Sequence, residues 1–186
     1  MSSVSHLHIL TAAFAFGLSA LASAEPLQPN EALRLIVAAD QEDRSGPPSA
    51  FDGSKVSPRD AERRKQVMEI MAKGEIRAAE DFFNAARVFQ HGATTDDIRL
   101  AYALVTIASA MRPERLGPKA AACSSWDRLL VRMGRPQWYE TQYTKSTETG
   151  RFELAPVDET AVTDDERKAL GLPTLKEARA NAAQFN

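Results

Sequence analysis

The stretch from Ile98 to Met111 carries Ile98, Leu100, Ala101, Tyr102, Leu104, Val105, Ile107, Ala108 and Met111, so a helix over it is apolar on nearly every side. Such a helix has no polar face to turn to solvent and must be enclosed by others. This defines a mainly α fold: a helical bundle, or an irregular antiparallel array with this helix at its centre. Thr94 or Thr95 caps it.

The flanking segments carry helical periodicity with start and stop signals. A first helix is predicted from Asn30, an N-cap type, to about Arg44, with Leu33, Ile36 and Val37 on its apolar face. Ser45 to Val56 reads as a loop that could close over Asp40 and Arg44. A second helix opens at Ser57-Pro58-Arg59-Asp60, with Asp60 completing a capping box, and stops at Gly74. A third runs from Glu75 to Gln90 through Ile76, Ala79, Phe82, Phe83, Ala86 and Phe89, with Gly92 as its left-handed stop. After a connection over 112–119, a fifth helix extends to Met133, with Trp126, Leu129, Leu130 and Met133 facing the core. Helices three to five look like stacked tetratricopeptide-like pairs, although no full repeat period recurs.

Beyond Pro136 the residues favour strands. Trp138 to Thr144 and Arg151 to Leu154, joined by a turn over 145–150, predict one small hairpin at about 137–155 that must pack on the helices. Thr163-Asp164-Asp165-Glu166 and Thr174-Leu175-Lys176-Glu177 each open a short terminal helix, together covering about 163–182.

Residues 1–24 contain no Asp, Glu, Lys or Arg, run apolar from Ile9 to Leu21 and close on Ala22-Ser23-Ala24. This pattern is that of a secretory signal peptide cut after Ala24, leaving one helical domain over 25–186. Its apolar core of about 13 residues falls short of the ~20 that span a bilayer. The expected product is a periplasmic or secreted protein with no membrane insertion after cleavage. Its formal charge of −2 offers no basic stripe for nucleic acid. The single Cys123 sits in a helical pattern and is expected to be a buried, inert thiol.

Several polar residues interrupt these apolar patterns. Asp40 follows Val37 on the core side of the first helix and Arg44 lies one turn on, either a pair that reaches out at the helix end or a buried functional pair. His91, the only histidine after the signal sequence, follows Gln90 at a helix C-terminus, where the dipole favours its protonated ring. Asp127 and Arg128 flank the core face of the fifth helix, as a solvated surface pair or as part of a site. Gln137, Tyr139 and Gln142 follow. One His and one Cys cannot assemble a histidine-rich or thiolate zinc site, and no phosphate loop or G-x-S-x-G elbow occurs, so neither metal nor cofactor is expected.

The succession Gln90-His91-Gly92, Asp127-Arg128, Gly134, Pro136-Gln137, Tyr139, Thr141-Gln142 and Gly171-Leu172-Pro173 resembles a bacterial family catalogued as a domain of unknown function, from about Glu31 to Ala178. Asp40-Gln41 and Arg44 also look like its pattern. The resemblance implies a common fold and a shared polar constellation, and it brings no activity. Members typically carry Gly between the Tyr and the Thr, where this chain has Glu140.

Three functions are consistent with these residues. The leading expectation is a non-catalytic module whose Arg44, Gln90, Arg128, Gln137, Tyr139 and Gln142 line a polar groove for a cell-envelope peptide or glycan. The second is a cell-envelope hydrolase using His91 with Asp40 or Asp127 as acid and base. The third is a purely structural network tying the hairpin to the helices.

Overall fold

The computed structural model describes residues 27–46 and 52–185. The signal peptide expected over 1–24 lies outside them, as does the part of the expected loop over 47–51. The fold is mainly helical: α1 Glu31–Glu42, α2 Gly53–Ala72, α3 Ala79–Phe89, α4 Thr95–Met111, α5 Leu116–Arg132, the hairpin β1 Tyr143–Lys145 and β2 Phe152–Leu154, α6 Asp164–Ala169 and α7 Leu175–Asn181. A 3₁₀ turn, Ala182–Phe185, follows α7.

Caps set the helix starts much as the sequence indicates. Asn30 accepts from the Leu33 N–H at 2.9 Å, and Thr94, Thr163 and Thr174 each close a capping box with the acid three residues on. The third helix starts one turn later than expected, because Asp81 turns back to accept from the N–H groups of Arg77 (3.0 Å), Ala78 (2.9 Å) and Asn30 (2.6 Å). This one buried carboxylate thereby ties the start of α1 to the start of α3.

The core gathers Leu33 and Val37 from α1, Val67 and Ile70 from α2, Ala85, Val88 and Phe89 from α3, and Ala101, Leu104 and Val105 from α4. The chain stacks α3 on α4 and α4 on α5, while α1 and α2 pack on α3. The short connections turn it back each time, so successive helices run antiparallel. The central position of α4 holds, but its enclosure is incomplete. Ile107 and Met111 are both 42% exposed, because α3 and α5 cover two sides of α4 and nothing in the described chain covers the third. Met133, expected in the core, is equally exposed at 42%, beyond the end of α5.

Two other starts and one stop differ from expectation. α2 begins at Gly53 with Asp52 as its cap, before the helix start expected at Ser57, and Pro58 lies inside the helix, where it cannot donate to the carbonyl four residues back. The extra turn is anchored by Val56, only 3% exposed. α5 starts at Leu116, three residues before the end of the expected connection. Gly92 is not left-handed. It is small because a Cβ there would collide with the Asp97 side chain, whose Oδ2 would sit at 2.7 Å.

The hairpin is shorter than the run of strand-forming residues. Tyr143 pairs with Leu154 and Lys145 with Phe152, whereas Trp138 to Gln142 form no strand. Their amides are drawn inward by Asp127, and Glu140 takes a left-handed φ of 57°, the only non-glycine among the described residues to do so. That position explains why glycine suits it, since a left-handed residue with a Cβ is strained. Glu140 is held there by a buried ion pair with Arg167 of α6, and burial, against the pull of that arginine, pushes its carboxyl up to about 7.

Candidate functional site

The polar residues singled out in the sequence divide into two groups, one on each side of Gln142. The first lines a groove of about 440 Å³ at the C-terminal end of α3, where Arg44, Gln90, His91, Arg128 and Gln142 come together with Ser57, Asp60 and Arg132.

The floor of the groove is an ion-pair network between α1 and α2. Asp40 is fully buried; Arg44 donates to it at 2.9 Å and to Asp60 at 2.6 Å, while Gln41 donates to its other oxygen at 2.7 Å. Arg63 donates to Asp60 at 3.0 Å and pairs with Asp43, which Arg59 also reaches at 2.9 Å. The pair is thus a buried Asp40 under a half-buried Arg44 that turns inward to Asp60 and not out to solvent. Burial raises the Asp40 carboxyl above its ordinary value, against Arg44 and Gln41. Asp60 is not a capping residue, because the helix starts two turns earlier and its carboxylate turns inward. It lies on a buried stripe of Val56, Asp60, Arg63, Val67 and Ile70.

His91 stands above this floor with Nε2 3.6 Å from Asp40 Oδ2. Its ring is pushed down to about 4 by burial first, then by the positive charges of Arg44 and Arg128. The helix dipole, expected to favour protonation, is outweighed: a helix end carries roughly half an elementary charge, and each nearby guanidinium carries a full one. Of the two guanidiniums that α5 brings to the groove, Arg128 contributes to this field. Arg128 donates to Gln142 Oε1 at 3.0 Å and to the Gln90 carbonyl at 2.6 Å, and Arg132 donates to the Ala93 carbonyl at 2.5 Å.

The second group is built into the fold. Asp127 is fully buried and accepts from the Trp138 N–H at 2.8 Å, from those of Tyr139 and Thr141 at 3.1 Å, and from the Thr141 hydroxyl at 2.8 Å. It is neither a surface residue nor part of the groove, because its oxygens are taken up in shaping 138–141. Burial pushes its carboxyl up and these donors pull it down, with burial prevailing. Gln137, also fully buried, holds both ends of the loop together: its amide donates to the carbonyls of Gln142 and Ala155, each at 2.9 Å, and its oxygen accepts from the Gln142 N–H at 2.9 Å. Gln137 is therefore structural.

Tyr139 faces a different cavity, of about 350 Å³, walled by Tyr102, Trp126, Trp138 and Cys123. The Trp126 ring lies 5.3 Å from Tyr102 and 5.2 Å from Trp138, centroid to centroid. Cys123 is buried there, and burial pushes its thiol up to about 11, which keeps it protonated and unreactive at neutral pH.

Sequence reasoning overlooked Ser57, Asp60 and Arg132 as groove residues and Arg63 in the network beneath them. A signal for Asp60 and Arg63 existed: Asp60 lies four residues after Val56 and Arg63 four before Val67, which places both on the buried stripe of α2. Among the described residues, no group of three or more His, Cys, Asp or Glu is arranged to hold a metal ion, and no helix is long and apolar enough to cross a membrane. No protein-family model, curated protein or solved structure matches this chain.

Proposed function

We propose that this is an exported, non-catalytic binding module of the resembled bacterial family, whose polar groove recognises a cell-envelope peptide or glycan. The observation that carries the reading is the set of groups in the groove that other contacts leave unused. The Gln90 side chain, the His91 ring and the Ser57 hydroxyl line it without a hydrogen bond to any described residue, and Arg128 and Arg132 stand beside them. A purely structural network would have used up these groups, as Asp127 uses the Thr141 hydroxyl and Gln137 the backbone of Gln142 and Ala155.

One observation favours the hydrolase reading, the approach of His91 to Asp40. Against it, the carboxylates at the groove already hold guanidinium partners, Asp40 with Arg44 and Asp60 with Arg44 and Arg63. Their oxygens are engaged by these guanidiniums and not turned to a substrate, and a ring depressed to about 4 is a weak base at neutral pH. The test is to titrate the ¹⁵N-labelled full chain with a panel of soluble cell-wall peptides and oligosaccharides. Shifts of the Gly92 and Ala93 amides with no cleavage of the added fragment are expected. Cleavage would replace binding with hydrolysis, and an unperturbed groove across the panel would remove the reading.

A further inference from the structure

Arg128 differs from the other arginines that the fold encloses. Arg44, Arg63, Arg64 and Arg167 each face a carboxylate, and Arg87 lies over the Phe83 ring. Arg128 is half-buried with neutral partners only, the Gln142 side-chain oxygen and the Gln90 carbonyl, and its Nη2 makes no hydrogen bond to any described residue. Arg132, one turn along the same face of α5, likewise bonds only to the carbonyls of Ala93 and Gly92.

Both arginines meet the C-terminal end of α3, so the conservative explanation is that they cap it. The charges do not balance on that account. A helix C-terminus offers roughly half an elementary negative charge, whereas the two guanidiniums bring two full positive ones. The network below adds no excess, since Asp40, Asp43 and Asp60 are matched by Arg44, Arg59 and Arg63. The groove therefore holds positive charge that the described chain leaves uncompensated, at a place where the guanidinium fork is partly desolvated.

We propose that the groove is a carboxylate site, in which the C-terminal carboxylate of a short peptide is received by Arg128 with Arg132 beside it. This deepens the binding reading and rests on it. A carboxylate accepts charge-assisted N–H bonds from a guanidinium, and Nη2 of Arg128, with the second N–H of Nη1 beside it, is left to donate them. The unbonded Gln90 carboxamide offers one donor and one acceptor, the complement of a peptide link. Val131, the apolar member of the lining, suits a small side chain. A sugar is the poorer occupant, because the aromatic rings that would stack on it, Trp138 and Tyr139, open onto the other cavity.

The test is calorimetric titration of the full chain with N-acetyl-alanyl-alanine and with its C-terminal amide, following the Gly92 and Ala93 amide shifts in parallel. The acid is expected to bind at the groove and the amide to bind at least about tenfold more weakly, the usual scale for losing a charge-assisted pair. Arg128→Lys, which keeps the charge and loses the fork, is expected to weaken the acid about tenfold as well. Because Arg128 also supports the loop, Arg132→Gln provides a second variant that alters an exposed residue. It is expected to weaken the acid and leave the amide unchanged. Equal groove binding of acid and amide would overturn the carboxylate inference and leave the binding reading standing. Acid binding that neither variant weakens would show that the two arginines only cap α3. If neither dipeptide moves the groove amides while larger envelope fragments do, the carboxylate inference fails alone; if nothing in either panel does, the binding reading fails with it.

Discussion

Replacing Asp127 with Asn separates its two proposed roles, because the substitution keeps the shape of the side chain and changes only its charge and one acceptor. In the native loop, Oδ1 accepts from Trp138 and Tyr139, and Oδ2 accepts from the Thr141 N–H and hydroxyl. An asparagine retains one acceptor oxygen and places an NH₂ at the other position. The Thr141 hydroxyl can rotate to accept from that NH₂, so the favoured orientation keeps the oxygen toward Trp138 and strands the Thr141 N–H. A stranded buried N–H costs about 1–3 kcal/mol, and weakening the remaining charge-assisted bonds adds about 1 kcal/mol. Relief from burying a charge offsets part of this, since burial already pushes the Asp127 carboxyl upward. The expected net loss is about 2–3 kcal/mol, with Asp127→Ala losing more because every donor is then stranded. Urea unfolding followed by tryptophan fluorescence at neutral pH measures it, with Trp126 and Trp138 both close to the perturbed loop. A loss below about 0.5 kcal/mol at unchanged slope would refute the assignment of Asp127 to the fold, and would return it to the list of residues held for function.

Asp60→Ala is expected to cost about 3–5 kcal/mol, because it leaves Arg44 and Arg63 short of a buried partner; a loss near 1 kcal/mol in the same assay would mean that Asp60 is only a cap. His91 has a folded pKa near 4, below its unfolded value of 6.5, so the unfolded chain binds the extra proton between those values. Its contribution to stability is complete above pH 6.5 and is lost as the pH falls toward 4, by at most about 3 kcal/mol given the partial exposure of the ring. Proton NMR of the ring, assigned with His91→Gln, checks this, and a midpoint of 6 or higher would contradict it. Gly92→Ala is expected to destabilise by about 1–3 kcal/mol through overpacking against Asp97, whereas Ala at a merely permissive site would be neutral or stabilising in thermal unfolding.

The helix order, the caps at Asn30, Thr94, Thr163 and Thr174, and the short hairpin were legible because each depends on neighbours within a turn or two. What escaped depends on distant partners. Asp60 satisfied a capping pattern locally, yet its use is set by Arg44 on another helix. The residues from Trp138 to Thr141 have strand-forming side chains, but Asp127, more than ten positions earlier, collects their amides and bends them away from a sheet. His91 showed the same limit in electrostatics: its position at a helix end predicted the wrong sign, because the fold buries the ring and brings Arg44 and then Arg128 beside it. The polar constellation itself was found, and its division into a groove and a structural knot was not, since sequence spacing does not say which side of α5 a residue faces.

The left-handed Glu140 and its Arg167 partner also bear on how this chain could have diverged. A glycine at 140 would relieve the backbone and leave the buried Arg167 guanidinium with Asp164 alone, a half-exposed carboxylate; an arginine at 167 loses its buried partner without the acid at 140. Neither substitution is comfortable alone, so the two positions should have been exchanged together or in quick succession. Relatives with glycine at 140 are expected to carry a small or apolar residue at 167, and that pairing would mark, in an alignment, the branch on which α6 became locked to the loop beside the groove.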